Sequence, residues 1–163
     1  MKPFYALLAA LLVTAIITAM PVNAGTPEMA PSDVVSGDIF FGTKSTELTP
    51  DAKKAVGEIY AWVGKHPDTI VMLAGYDDQR TPEEESVELG YKRANAVKDL
   101  LISLGVDPDR ISITSFGNTH IALPGEGEEV WSKNRRVRYM VAGKADMDRM
   151  PGKKGGVCQR CKR

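Results

Sequence analysis

The sequence predicts an α/β sandwich, in which a mixed four-stranded sheet carries two helices packed on one face. Three observations predict it. Strand-length and helix-length patterns follow one another in the order strand, helix, strand, helix, strand, strand. Both helix patterns open on a Thr-Pro start signal, Thr49-Pro50 and Thr81-Pro82. Between the helices, residues 70–74 (IVMLA) form an unbroken apolar run of strand length, as expected of a strand covered on both faces.

Taken in order, residues 1–24 read as a secretory signal peptide. Lys2 gives a positive start, residues 6–20 carry no charge, and Pro21 breaks the run before Val22-Asn23-Ala24. Cleavage is expected after Ala24. An uncleaved anchor is the alternative, but the apolar run falls short of the ~20 residues that span a bilayer. Residues 25–37, rich in Pro, Gly and Ser, read as a linker to a domain at 38–142.

Residues 38–41 (DIFF) are a short aromatic strand. Thr49 then caps a helix with Ala52, Val56, Ile59 and Val63 at helical spacing, widened by Trp62 and ended at His66-Pro67. The run at 70–74 stops at Gly75-Tyr76-Asp77-Asp78. Thr81 and Glu84 have the spacing of a capping box, and Val87, Tyr91, Ala94, Val97, Leu101 and Leu104 mark the expected buried stripe of a long helix closed by Gly105. Residues 111–116 and 137–141 alternate as the last two strands, separated by a Gly-rich loop.

Residues 143–163 read as a flexible basic tail. From Lys144 onward it carries seven Lys or Arg against two Asp. Both cysteines lie there, as Cys158-Gln159-Arg160-Cys161. One CxxC supplies two of the four ligands of a structural zinc, and Lys162 stands where a haem-attachment motif needs His. In an exported chain, a local disulfide or a bond to another chain is the expected state.

Charge is balanced, with 21 basic and 21 acidic residues, so nothing calls for nucleic acid. The chain has no GxSxG elbow, no phosphate-cradling glycine loop and no HExxH, and His66 and His120 have no partner at ligand spacing. The expectation is a non-enzymatic protein without cofactor or metal. A binding constellation is better supported. Asp78 follows the carboxyl end of the buried strand, where ligands collect in α/β sheets. Ser86, Gly90 and Arg93 share one face of the second helix, and Gly90 leaves that face uncovered. A helix packed back over the strand would bring an Arg and an Asp together at a small-residue gap. That gap would either hold a zwitterion, its carboxylate on Arg and its ammonium on Asp, or close as a buried ion pair.

The stretches GYDDQR (75–80), LGYKRANAV (89–97) and WSKNRRV (131–137) resemble the outer-membrane protein A C-terminal domain family, most of all its peptidoglycan-associated lipoprotein branch. The resemblance spans residues 38–142. It implies non-covalent binding of peptidoglycan through the diaminopimelate of its stem peptides, with Asp78 taking the ammonium and Arg93 the carboxylate. It also brings Gly75, Tyr76, Asp77, Thr43, Ser86, Leu89 and Asn134 to the binding site, and gives Arg135 and Arg136 supporting roles, one of them bracing the loop that carries Asp78. Departures from the family pattern are Tyr76 for His, Ser86 for Asn, Gly42 for Asp, and a positive Lys44 in an acidic loop. No Cys stands at the cleavage site, so the branch's lipid anchor is not expected.

Three classes follow. One is a periplasmic wall-binding module, associated with the outer membrane through a partner. A second is a single-pass protein like the flagellar stator subunit, whose membrane span carries an acidic residue, where residues 6–20 here have none. The third keeps the fold to bind another envelope protein through the Cys-containing tail.

Overall fold

The computed structural model describes residues 34–144, so the expected signal peptide and the tail with Cys158 and Cys161 lie outside the described residues. The elements are β1 (Val35–Phe40), α1 (Pro50–Lys65), β2 (Thr69–Tyr76), α2 (Glu83–Ser103), a 3₁₀ turn (Pro108–Arg110), β3 (Ile111–Gly117), α3 (Glu128–Asn134) and β4 (Arg136–Gly143). The sheet order is β1-β4-β2-β3, with β2 and β3 parallel and the other pairs antiparallel. This is the expected mixed four-stranded sheet, with a third, short helix added.

Period-2 alternation sets which strand residues meet the helices. Val71 and Leu73 of β2, Val137 and Val141 of β4 and Ile39 of β1 share one core with Val56, Ile59 and Val63 of α1 and Ala94, Val97 and Leu101 of α2. Each fully buried Val, Ile or Leu of this set contributes ~1.5–3 kcal/mol relative to exposure. The opposite face of β2, at Ile70, Met72 and Ala74, is only half-buried, because both long helices lie on the other side. The unbroken apolar run therefore does not mean cover on both faces.

Other departures have local causes. β1 begins at Val35, inside the stretch read as linker. Gly37 pairs with Tyr139, and a Cβ at Gly37 would lie 2.6 Å from the Tyr139 hydroxyl, so the missing side chain is what lets that ring pack. At α1 the expected cap forms, with Thr49 Oγ1 accepting from the Ala52 amide at 3.1 Å. At α2 it does not. The helix starts one residue late, Thr81 gives its carbonyl to the Asn118 amide group at 2.7 Å, and Glu83, Glu84 and Glu85 face the helix dipole instead. Tyr91 and Leu104 are exposed rather than buried, and Ser86, Gly90 and Arg93 take the buried face of the first turns. The helix α3 stands where the glycine-rich stretch predicts loop throughout.

Candidate functional site

Two glycines bring α2 onto β2. A Cβ at Gly75 would lie 1.9 Å from the Gly90 carbonyl oxygen, so the two backbones touch there. Arg93, nearly one turn further, is thereby carried beneath the carboxyl end of the strand. Its side chain is fully buried. Nε donates to the Ser45 carbonyl at 2.9 Å, Nη1 to the Tyr76 carbonyl and Asp77 Oδ1, both at 2.9 Å, and Nη2 to the Gly42 carbonyl at 3.2 Å. One guanidinium thus clips the β1–α1 loop and the end of β2 to α2. Burial pulls its pKa down and the Asp77 carboxylate opposes that.

The Arg–Asp meeting expected at this gap does occur, with Asp77. Odd-numbered residues of β2 face the helices, and the alternation that buries Val71 and Leu73 carries on through Gly75 to Asp77. Asp78 points elsewhere. Its Oδ1 accepts from the Arg80 amide at 3.1 Å and from Arg80 Nε at 2.9 Å. Its Oδ2 accepts from Arg80 Nη2 at 2.7 Å and Arg135 Nη1 at 3.2 Å. Burial pushes the Asp78 carboxyl up, but the hydrogen bonds from the Arg80 side chain and backbone and from Arg135 outweigh it and hold the group at about 2. Arg135 also donates to the Phe41 carbonyl at 3.2 Å and pairs with Glu128, so it braces the loop below Asp78.

Around these groups lies a cleft of about 250 Å³, lined by Thr43 and Lys44 from the β1–α1 loop, Asp77, Asp78 and Arg80 after β2, and Thr81, Pro82 and Glu85 at the start of α2. Three acidic and two basic side chains meet in it. Lys44 adopts a left-handed backbone, φ 49°, at the tip of its loop.

Of the ligand residues expected from the sequence, Asp77, Asp78 and Thr43 line this cleft. The others do not line it. Gly75 makes the backbone contact with α2. Tyr76 is on the open side of the sheet, stacked on Phe116 and under the Arg136 guanidinium at 4.0 Å. Ser86 is buried, donating to the Glu83 carbonyl at 2.8 Å and accepting from the Asn118 amide at 3.2 Å. Leu89 is half-buried and does not line the cleft. Asn134 Oδ1 accepts from the Ala122 and Leu123 amides at 2.8 and 3.0 Å, which orders the loop before α3. Arg80 and Glu85 line the cleft and were not expected there. The signal for Arg80 was its place two residues after Asp78, where an Asp side chain folds back on the backbone.

Residues 40–138 match the OmpA family, and the chain belongs to it. Its relatives include the peptidoglycan-associated lipoprotein of Rhizobium meliloti (strain 1021), 33% identical over 109 residues, covering 67% of this chain and 62% of that protein. The lipoprotein of the same name from Brucella melitensis is 31% identical over 123 residues, 74% of this chain and 73% of that protein. The chain thus spans less than two thirds of the length of the Rhizobium relative. Among solved structures, the peptidoglycan-associated lipoprotein of Burkholderia pseudomallei superposes with a TM-score of 0.62 at 26% identity, covering 64% of this chain and 89% of that one. The C-terminal domain of MotB from Helicobacter pylori superposes with a TM-score of 0.61 at 26% identity, covering 68% and 87%.

Proposed function

We propose that this chain is a non-enzymatic periplasmic module that holds peptidoglycan without a covalent bond. The cleft takes the diaminopimelate of a stem peptide, and Asp78 answers its ammonium. The observation that carries the reading is the state of Asp78, a buried carboxylate held ionised by hydrogen bonds from Arg80 and Arg135 beside an open cleft. The relatives named as peptidoglycan-associated lipoproteins support the polymer, and the expected signal peptide is consistent with export to where the wall lies. Arg93 serves as the frame that fixes the loop and strand around the cleft, its N–H groups directed at four protein acceptors.

Co-sedimentation with purified wall sacculi tests this. The wild-type chain should pellet with sacculi and be released by free meso-diaminopimelate. Asp78→Asn should weaken pelleting by ~10-fold or more, since truncating one side of a desolvated charge pair costs ~2–5 kcal/mol. A folded Asp78→Asn that pellets like wild type would overturn the proposal.

A further inference from the structure

Charge in this chain balances only as a sum. Residues 144–163 hold seven of the 21 basic residues and two of the 21 acidic ones, which leaves positions 1–143 with 14 basic against 19 acidic. From Met150 onward there are five Lys or Arg and no Asp or Glu. The same stretch, 144–163, has no Leu, Ile, Phe, Tyr or Trp, so it brings charge without the apolar area that enters a core or a hydrocarbon layer. The fold fixes where this charge leaves the domain. Gly143, the last residue of β4, pairs with Thr69, and the Lys144 amide donates to the Asp68 carbonyl at 2.9 Å. Arg110 ties down the same corner by donating to the Val63, His66 and Thr69 carbonyls. The cleft lies at the other end of β4, where Arg136 pairs with Phe40, about 25 Å away along the strand. Glu83, Glu84, Glu85, Glu126, Glu128 and Glu129 are exposed at that end, against exposed Lys44, Arg80 and Lys133. The chain is thus polarised along its sheet, acidic at the cleft end and basic where β4 runs out.

From this polarity we propose that residues 144–163 bind an anionic phospholipid surface and hold the cleft away from it. Each Lys or Arg brought near such a surface raises affinity roughly 5-fold. The attraction fades within a Debye length, ~10 Å at 0.1 M salt, so it acts on the tail and not on the distant cleft. The same field repels the glutamates at the cleft end, and the bound domain settles with the cleft facing outward. With no large apolar side chain to insert, the contact is peripheral, reversible and sensitive to salt. Peptidoglycan carboxylates and the chain's own glutamates are anionic too. The bilayer is the better fit because the root of the tail is fixed at the end of the sheet that faces away from both. The contact is independent of what the cleft holds.

The test is co-sedimentation of the full exported chain with large vesicles of phosphatidylcholine, alone or with phosphatidylglycerol as a third of the lipid. At ~0.1 M salt wild type should bind the anionic vesicles ~10-fold or more tightly than the neutral ones, and ~1 M salt should release it. Lys153→Gln combined with Lys154→Gln should weaken vesicle binding by ~10-fold or more. The melting temperature and the pelleting on wall sacculi should not change in that double variant. Orientation has its own readout. Lipids carrying a nitroxide on the headgroup should broaden the amide signals of Lys65, Asp68 and Lys144 and spare those of Thr43 and Lys44. Equal binding to neutral and anionic vesicles, or a double variant that binds anionic vesicles like wild type, overturns the lipid contact and leaves the proposed function standing. Loss of sacculus pelleting in the double variant assigns the tail to the wall and overturns it as well. Broadening centred on Thr43 and Lys44 overturns the outward-facing cleft.

Discussion

Asp77 and Asp78 are neighbours in sequence and do different work, because a strand sends adjacent side chains to opposite faces. Asp77 pairs with Arg93 under α2 and Asp78 with Arg80 and Arg135, and both aspartates line the cleft. Removing Arg93 would leave the Asp77 carboxylate buried without its ion pair, and the Gly42, Ser45 and Tyr76 carbonyls without this donor. Arg93→Ala should therefore cost ~3–5 kcal/mol in urea unfolding, and Arg93→Lys should recover little, because one ammonium cannot span acceptors laid out for a planar fork. A loss below ~1 kcal/mol would show that Arg93 is not the clip described. Asp78 makes its own prediction. Its folded value, about 2, lies below the ordinary 3.8, so its contribution to stability is fully present above about pH 4 and lost as pH falls toward 2. The melting-temperature gap between wild type and Asp78→Asn should be widest above pH 4 and close near pH 2. A gap independent of pH would mean that the Asn substitution acts by shape rather than charge.

At the scale of elements, helix starts and apolar spacing were legible because they are local. Thr49-Pro50 and the stripe Ala52, Val56, Ile59 and Val63 need only the chain around them, and all four stripe residues are buried. What was not legible depended on packing between elements. The cap at Thr81 gives way to a bond from the β3–α3 loop, and the buried face of α2 turns to Ser86, Gly90 and Arg93 because β2 lies backbone-to-backbone against it. The partner of Arg93 lay within reach of the sequence, since counting by twos from Val71 arrives at Asp77. The glycines separate packing from propensity. Gly75→Ala forces a Cβ to 1.9 Å from the Gly90 oxygen, so it should destabilise by ~1–3 kcal/mol or more and loosen the cleft. Gly57→Ala in α1 meets nothing within 4 Å and should stabilise by up to ~1 kcal/mol. Thermal melts of the two variants should move in opposite directions, and a fall for both would contradict the open space drawn around Gly57.

Across the whole molecule, the register sets the cleft apart from the two ends of the described chain. Val35 pairs with Val141, so the chain enters and leaves at one end of the sheet. Phe40 pairs with Arg136 at the other end, where the β1–α1 loop, Asp78 and α3 gather. A tether at either terminus would leave the cleft free to reach a polymer. The family and the order of elements were legible from separated motifs, whereas the cleft's lining depended on which loops the sheet order brings together. In the proposed function, this end of the sheet is where the wall is held. The most direct measurement is an amide chemical-shift titration of the labelled chain with a soluble diaminopimelate stem peptide. The account predicts saturable shifts confined to Thr43, Lys44 and residues 77–85, absent in Asp78→Asn. Shifts centred on the open sheet face at Ile70, Met72 and Phe116, or no shifts at millimolar peptide, would contradict it.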